Sequence, residues 1–341
     1  MRVASRVAAA TLVVGIMAAG LLAVPAAHAS AVPAAHAPAG TAAPASAAPV
    51  GVQSRLAELA DAATGADLWS RSSVTKRPMG SVTKVMTAYV VLTTPKLNLN
   101  RVITVPAGIT AYDEKYDAST AGLRPGERLT TRQLLYALLL PSGCDAAYTL
   151  AAAYGPGGGG FIAKMNATAQ KLGMAKTHFS DFSGLPDPGE YTNYSTAHDL
   201  IGLGRAAMRL PALAAIVATR GYRLAAGSGH QAHSWTNLDP LLGRYPGAIG
   251  IKTGYTAAAG QCLLFAARRG SRTLIGVVLD SSPVNSATGS AAAADATAML
   301  NWGFAQRTIR RRLARRAGRS QPHPFGLILG FRGATPTGRW P

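Results

Sequence analysis

Three apolar runs, Ile249 to Tyr255, Gln261 to Ala267 and Thr273 to Leu279, follow one another late in the chain with only short Gly-containing turns between them. Strands joined so tightly must pair as antiparallel hairpins. Two more short strands, Leu56 to Asp61 and Ala66 to Trp69, flank Ala-Ala-Thr-Gly. Most of the remaining periodicity is helical. One helix starts at Ser81, with Val82, Val85, Met86, Tyr89 and Val90 on its spacing. Another, capped by Thr130 or Thr131, carries Leu134, Leu135, Leu138 and Leu139 and stops at Pro141. A polar loop, Ser142-Gly143-Cys144, precedes a third over Asp145 to Ala153, and Thr196 with Asp199 forms a capping-box pattern ahead of Leu200. Gly155 to Gly160 read as a loop, and without a following Gly-Lys-Ser/Thr they make no phosphate cradle. Helices segregated from an antiparallel sheet predict an α+β fold.

The chain has 341 residues, 48% of them hydrophobic, which suffices for one large buried core. Ahead of it, Arg2 and Arg6 precede the apolar run Val7 to Val24 and then Ala27-His28-Ala29, the pattern of a secretory signal peptide cleaved after Ala29. An uncleaved anchor is the alternative, since the run is almost long enough to span a bilayer. The expected organisation is a leader over 1–29, an uncharged Ala/Pro-rich tether over 30–50, a catalytic domain over 51–305 and a basic tail over 306–341. That tail holds nine arginines and no acidic residue; Ile309, Leu313 and Ala317 recur four apart, as in a basic amphipathic helix, and a solvated charged tail is the alternative. With a net charge of +19, an exported protein of this kind is expected to meet an anionic membrane surface or wall polymer, and nucleic acid is a poor fit.

Three short motifs carry the chemistry: Ser81-Val82-Thr83-Lys84, Ser142-Gly143-Cys144 and Lys252-Thr253-Gly254. A set of this type occurs in β-lactamases and penicillin-binding proteins. A serine hydroxyl is a weak nucleophile until a base takes its proton. Residues three apart share a helix face, so Lys84 reaches Ser81 and is the candidate base. For that task the amine must be neutral, a state favoured by burial and by a second cation, for which Lys252 is the candidate. Ser142 both donates and accepts, and can relay a proton to a leaving amine. Lys252 and Thr253 would hold a substrate carboxylate at a strand edge, with Gly254 letting substrate approach. The amides of Ser81 and Tyr255 would form an oxyanion hole.

The same residues resemble the low-molecular-mass D-alanyl-D-alanine carboxypeptidases, which are penicillin-binding serine D,D-peptidases. Gly80 to Tyr89, Leu138 to Gly143 and Gly250 to Thr256 are similar to that family almost letter for letter, and Met165-Asn166, Leu172-Gly173-Met174, Ser183-Gly184-Leu185-Pro186 and Tyr194 to Leu200 extend the likeness. It implies a β-lactamase-like fold, a helical lobe packed on a five-stranded antiparallel sheet with flanking helices and the active site between lobes. It further implies removal of the terminal D-alanine from peptidoglycan stem pentapeptides, inhibition by β-lactams, and no cofactor or metal. One position departs from the family: the second motif usually ends in Asn, and here it is Cys144. A thiol cannot replace an amide that both donates and accepts, so substrate binding at Cys144 is expected to differ. Cys262, placed about opposite Thr253 by a hairpin turning near Ala257-Ala258, is the candidate disulfide partner of Cys144.

Two other readings compete. A β-lactamase of the same fold would need a glutamate-activated water, and Glu190 with Asn193 supplies a Glu-x-x-Asn. A catalytically impaired wall-binding protein would explain the missing Asn, but retention of Ser81, Lys84, Ser142, Lys252 and Thr253 argues against it. His230 and His233, three apart in a Gly-rich stretch, read as surface residues rather than a zinc site. His178 and His198 read as packing or capping residues, and Tyr112, Asp113, Tyr116 and Asp117 as a surface loop that could border the cleft.

Overall fold

The computed structural model describes residues 48–155, 157–281 and 290–319. The expected leader, the expected tether up to residue 47 and the chain beyond 319 lie outside the described residues. In chain order the strands are β1 (Leu56–Asp61), β2 (Asp67–Arg71), β3 (Arg77–Pro78), β4 (Val102–Thr104), β5 (Arg128–Thr130), β6 (Tyr194–Ser195), β7 (Gly221–Leu224), β8 (His233–Thr236), β9 (Ala248–Thr256), β10 (Gly260–Arg269) and β11 (Arg272–Leu279). The helices are α1 (Lys84–Leu92), α2 (Ile109–Tyr116), α3 (Thr131–Leu139), α4 (Cys144–Tyr154), α5 (Gly157–Lys171), α6 (Ala197–Met208), α7 (Pro211–Val217) and α8 (Ser290–Arg319).

The main sheet is antiparallel with strand order β2-β1-β11-β10-β9. Its inner strands are buried along most of their length because both faces are covered. On one face α8 packs through Ala292, Ala296, Met299 and Leu300, a helical stripe with at most 1% exposure. On the other face α6 and the helical lobe of α1, α3, α4, α5 and α7 share a second core with the sheet. The α8 N-terminus is satisfied by Gln261, whose side-chain oxygen accepts from the amides of Ala291 and Ala292. The resulting sheet order leaves β9, the strand that carries Lys252, at an edge facing the helical lobe.

Caps settle where several helices begin. Thr130, not Thr131, caps α3 in a full capping box with Gln133. At α6 only one arm forms: Thr196 accepts from the Asp199 amide, while the Asp199 carboxylate turns to Lys176 N and Thr177 Oγ1. The glycines from 157 to 160, expected as a loop, form the first turn of α5. The boundary expected after residue 305 falls inside α8, because nothing between Phe304 and Gly318 breaks a helix.

Candidate active site

Ser81 lies half-buried in a tight 3-10 turn, Gly80–Thr83, that runs into α1, rather than at the first residue of the α-helix. Close backbone contacts impose that turn. Gly184, at φ +94, presses so near that a Cβ there would stand 2.0 Å from Gly80 O and 2.9 Å from Ser81 N. Strand β9 closes in from the opposite direction: a Cβ on Gly254 would stand 2.4 Å from Met79 O, and one on Gly80 would stand 2.7 Å from Tyr255 N. Gly254 therefore makes room for the turn that carries Ser81. The same contact sets the Tyr255 amide beside Gly80, the residue before Ser81.

One helical turn on, Lys84 has no exposed surface. Its Nζ reaches Ser81 Oγ at 2.9 Å, Ser183 O at 2.9 Å and Cys144 Sγ at 3.3 Å. The Ser183 carbonyl is held in place from behind. Asp181 Oδ1 accepts from the amides of Ser183, Gly184 and Leu185 and from Ser183 Oγ, while Asp181 Oδ2 and Ser183 Oγ both meet Tyr112 OH, at 2.6 and 2.7 Å. Tyr112 thus belongs to the cleft, on helix α2, where a surface loop was expected. Asp113, its neighbour, is pushed up to about 7 by burial and by the Asp145 carboxylate.

Ser142 adopts φ +68, unusual for a residue with a side chain, and the loop is braced to hold it there. Ser119 Oγ donates to Ser142 O at 2.9 Å, Cys144 N donates to Ser119 O at 2.8 Å, and the buried Asp145 carboxylate accepts from the amides of Ala121 and Leu123. Ser142 Oγ is buried without a hydrogen-bond partner. An unpaired buried hydroxyl costs about 1–3 kcal/mol, which is tolerable where a substrate is to complete the bond. Lys252, 1% exposed, turns its ammonium to Thr253 O at 3.0 Å and Thr253 Oγ1 at 3.4 Å. Burial, reinforced by the charge of Lys84, lowers it to about 7, with the buried Asp239 opposing the shift.

The expected disulfide does not form; both thiols are free. The ladder sets Cys262 opposite Gly254, and Leu263 opposite Thr253, one residue away from the expected pairing. Cys262 Sγ turns to Ala259 O at 3.5 Å, whereas Cys144 Sγ faces Lys84. His233 is a buried residue of β8, not a surface one, and its Nε2 lies 3.3 Å from Glu127 Oε1, a carboxylate distant in sequence. Among the described residues no His, Cys, Asp or Glu cluster could hold a metal ion. His198 pairs with Glu58 of β1 at 3.2 Å. Glu190 is exposed, while Asn193 is buried and reaches Thr83 Oγ1 at 3.4 Å, so the two do not converge on the cleft. Sequence reasoning missed Asp181 and Asp239. Ser183 to Pro186 signalled the neighbourhood of the first through family likeness, but no local pattern marks the second.

Comparison with known proteins agrees with this geometry. The family model described as D-alanyl-D-alanine carboxypeptidase matches residues 42–283. A D-alanyl-D-alanine carboxypeptidase of Streptomyces sp. (strain K15) is 42% identical over 252 residues, covering 71% of this chain and 84% of that protein. The carboxypeptidase DacB2 of Mycobacterium tuberculosis (strain ATCC 25618 / H37Rv) is 41% identical over 252 residues, covering 72% and 81%. The crystal structure of the Streptomyces K15 DD-transpeptidase superposes with a TM-score of 0.70 at 40% identity, over 74% of this chain and 98% of that one.

Proposed function

Because the chain belongs to the D-alanyl-D-alanine carboxypeptidase family, we propose that it removes the terminal D-alanine from peptidoglycan stem pentapeptides through an acyl-enzyme on Ser81. The observation that carries this reading is the 2.9 Å contact between Ser81 Oγ and the buried Lys84 Nζ beside the Lys252 strand. With Lys84 neutral, the Ser81 proton passes to its amine as Oγ attacks the carbonyl carbon of the D-alanyl-D-alanine bond. The amides of Ser81 and Tyr255 receive the developing oxyanion. Ser142 Oγ carries a proton to the departing amino group, the C–N bond breaks and D-alanine leaves. Water then cleaves the ester and returns Ser81.

Lys252 and Thr253 take the substrate's terminal carboxylate in this scheme. Cys144 lines the cleft where relatives usually place Asn, and offers the substrate a weaker partner than an amide would. The exposed Glu190 gives no support to a lactamase-type water activation, so penicillin is expected to stay bound as a slowly hydrolysed ester. The protein works in the cell envelope, delivered by the leader that ends at Ala29 and held near anionic surfaces by the basic tail.

Lys252 imposes a pH dependence. Its lowered value means that the cation is present below about pH 7 and is lost as pH rises through it. The substrate carboxylate stays ionised throughout, so its attraction to the site fades on the alkaline side. We expect KM for a peptide with a free C-terminus to rise about tenfold between roughly pH 6 and 8.5, the scale of one charge-assisted hydrogen bond. A flat KM over that range would refute the role of Lys252.

A second reading is favoured by the name of the Streptomyces K15 structure, a DD-transpeptidase. Acylation is common to both, and an amine in place of water would make the product a new peptide bond. Mass spectrometry of products from a stem pentapeptide, with and without an added amine acceptor, decides between them. Release of one D-alanine without acceptor confirms the carboxypeptidase. A product formed only with acceptor assigns transpeptidation, and cleavage confined to cross-linked dimers assigns an endopeptidase. Enzyme treated beforehand with penicillin is the control.

A further inference from the structure

A cavity of about 650 Å³ opens at the β7–β8 hairpin, and its wall includes Arg220, Thr236, Asn237, Leu238, Leu242 and Arg244. None of these residues takes part in the chemistry above. Both arginines are exposed, and among the described residues neither pairs with a carboxylate. The guanidinium of Arg220 is seated against the turn at Gly243, where φ is +75 and a Cβ would stand 2.8 Å from Arg220 Cζ. A side chain at that position would push the guanidinium aside.

The wall between the arginines is hydrogen-bonded to neighbouring segments. Asn237 Nδ2 donates to Val217 O at 3.0 Å and Thr219 O at 2.9 Å, and the Leu238 amide donates to Leu140 O at 3.1 Å. The last bond ties the cavity to the chain two residues before Ser142. Asp239 also lines the wall, but it is 4% exposed. One of its oxygens accepts from Leu241 N, and the other is shielded from solvent. Its charge, which lies in the field of Lys252, is therefore not offered to a ligand. The cavity is lined by two exposed arginines, by Thr236 and by Leu238, 52% exposed.

We propose that Arg220 and Arg244 form an oxyanion-binding subsite that takes a carboxylate or phosphate group borne on a cell-wall polymer. Guanidinium groups match the paired oxygens of both, and Leu238 and Leu242 shelter the carbon chain that bears them. The anion site follows from the cavity itself; only the wall-borne identity of the ligand rests on the function proposed above.

The test uses an Arg220→Gln/Arg244→Gln double variant of the full chain. Labelling of wild type and variant by fluorescent penicillin comes first. Failure in the wild type counts against the proposed function, whereas loss in the variant alone overturns a subsite separate from the cleft. With labelling equal, a glycerol-phosphate oligomer is titrated into each protein by calorimetry. KM is then compared for a stem pentapeptide bearing a free side carboxylate and for its amide. An affinity for the oligomer about tenfold weaker in the variant assigns a phosphate-bearing polymer. A KM raised about tenfold for the carboxylate peptide, and not for its amide, assigns the wall peptide. Unchanged oligomer affinity together with unchanged KM values overturns the proposal.

Discussion

Alanine in place of Ser81 is expected to abolish covalent labelling by penicillin and to lower D-alanine release by about 10⁵- to 10⁶-fold, the usual cost of removing a nucleophile from a concerted unit. The substitution removes one hydroxyl from a half-buried turn, so the fold should survive. No second hydroxyl can take over: Ser142 Oγ is buried in a separate braced loop, and Lys84 remains bound to Ser183 O. Lys84→Ala should cost nearly as much, because each group is inert without the other. Intact-protein mass after exposure to penicillin is the measurement. An adduct on the Ser81→Ala protein would place the nucleophile elsewhere and end the proposed mechanism.

Gly184→Ala should be the most damaging change that touches no catalytic side chain. Its added carbon would enter the space of Gly80 O, 2.0 Å away, and the residue sits at φ +94, which alanine avoids. Strain and overpacking together amount to about 2–4 kcal/mol. For a domain of this size, that lowers Tm by roughly 5–15 °C. The loop can relieve the clash only by moving away from Ser81 N, so the oxyanion hole should be displaced and penicillin acylation slowed about 100-fold. Gly173→Ala is the control, since it also has positive φ, at +75, but no atom within 4 Å of the added carbon. If the two variants melted together and acylated alike, the contact at Gly184 would not shape the site.

Much of this architecture is legible in the residues because it is written locally. The run Leu56 to Asp61 is a strand over those very residues, and the three late strands each extend only a residue or two beyond their apolar cores. Lys84 meets Ser81 because a helical turn guarantees it. The misreadings have a common origin in contacts between distant segments. Gly254, Gly184 and Gly80 interlock to wind Ser81 into a 3-10 turn, and nothing near Ser81 announces that. The partner of Cys262 depends on where the hairpin turns. Placing its turn slightly differently moved the pairing from Thr253 to Gly254, and a slip of one residue exchanges the faces of a strand. His233 looked like a surface residue until the fold brought Glu127 to it.

Strand β1 lies inside the sheet beside β11, with Leu56 facing Leu279. A chain made from its N-terminus delivers Ser81 and Lys84 early, while the strand that completes the sheet arrives last. Such distant pairing folds slowly, because a long loop must close before any contact repays it. Until Leu279 has emerged, the serine and its lysine have no wall to work against. Hydrolytic power is thereby withheld from every incomplete chain.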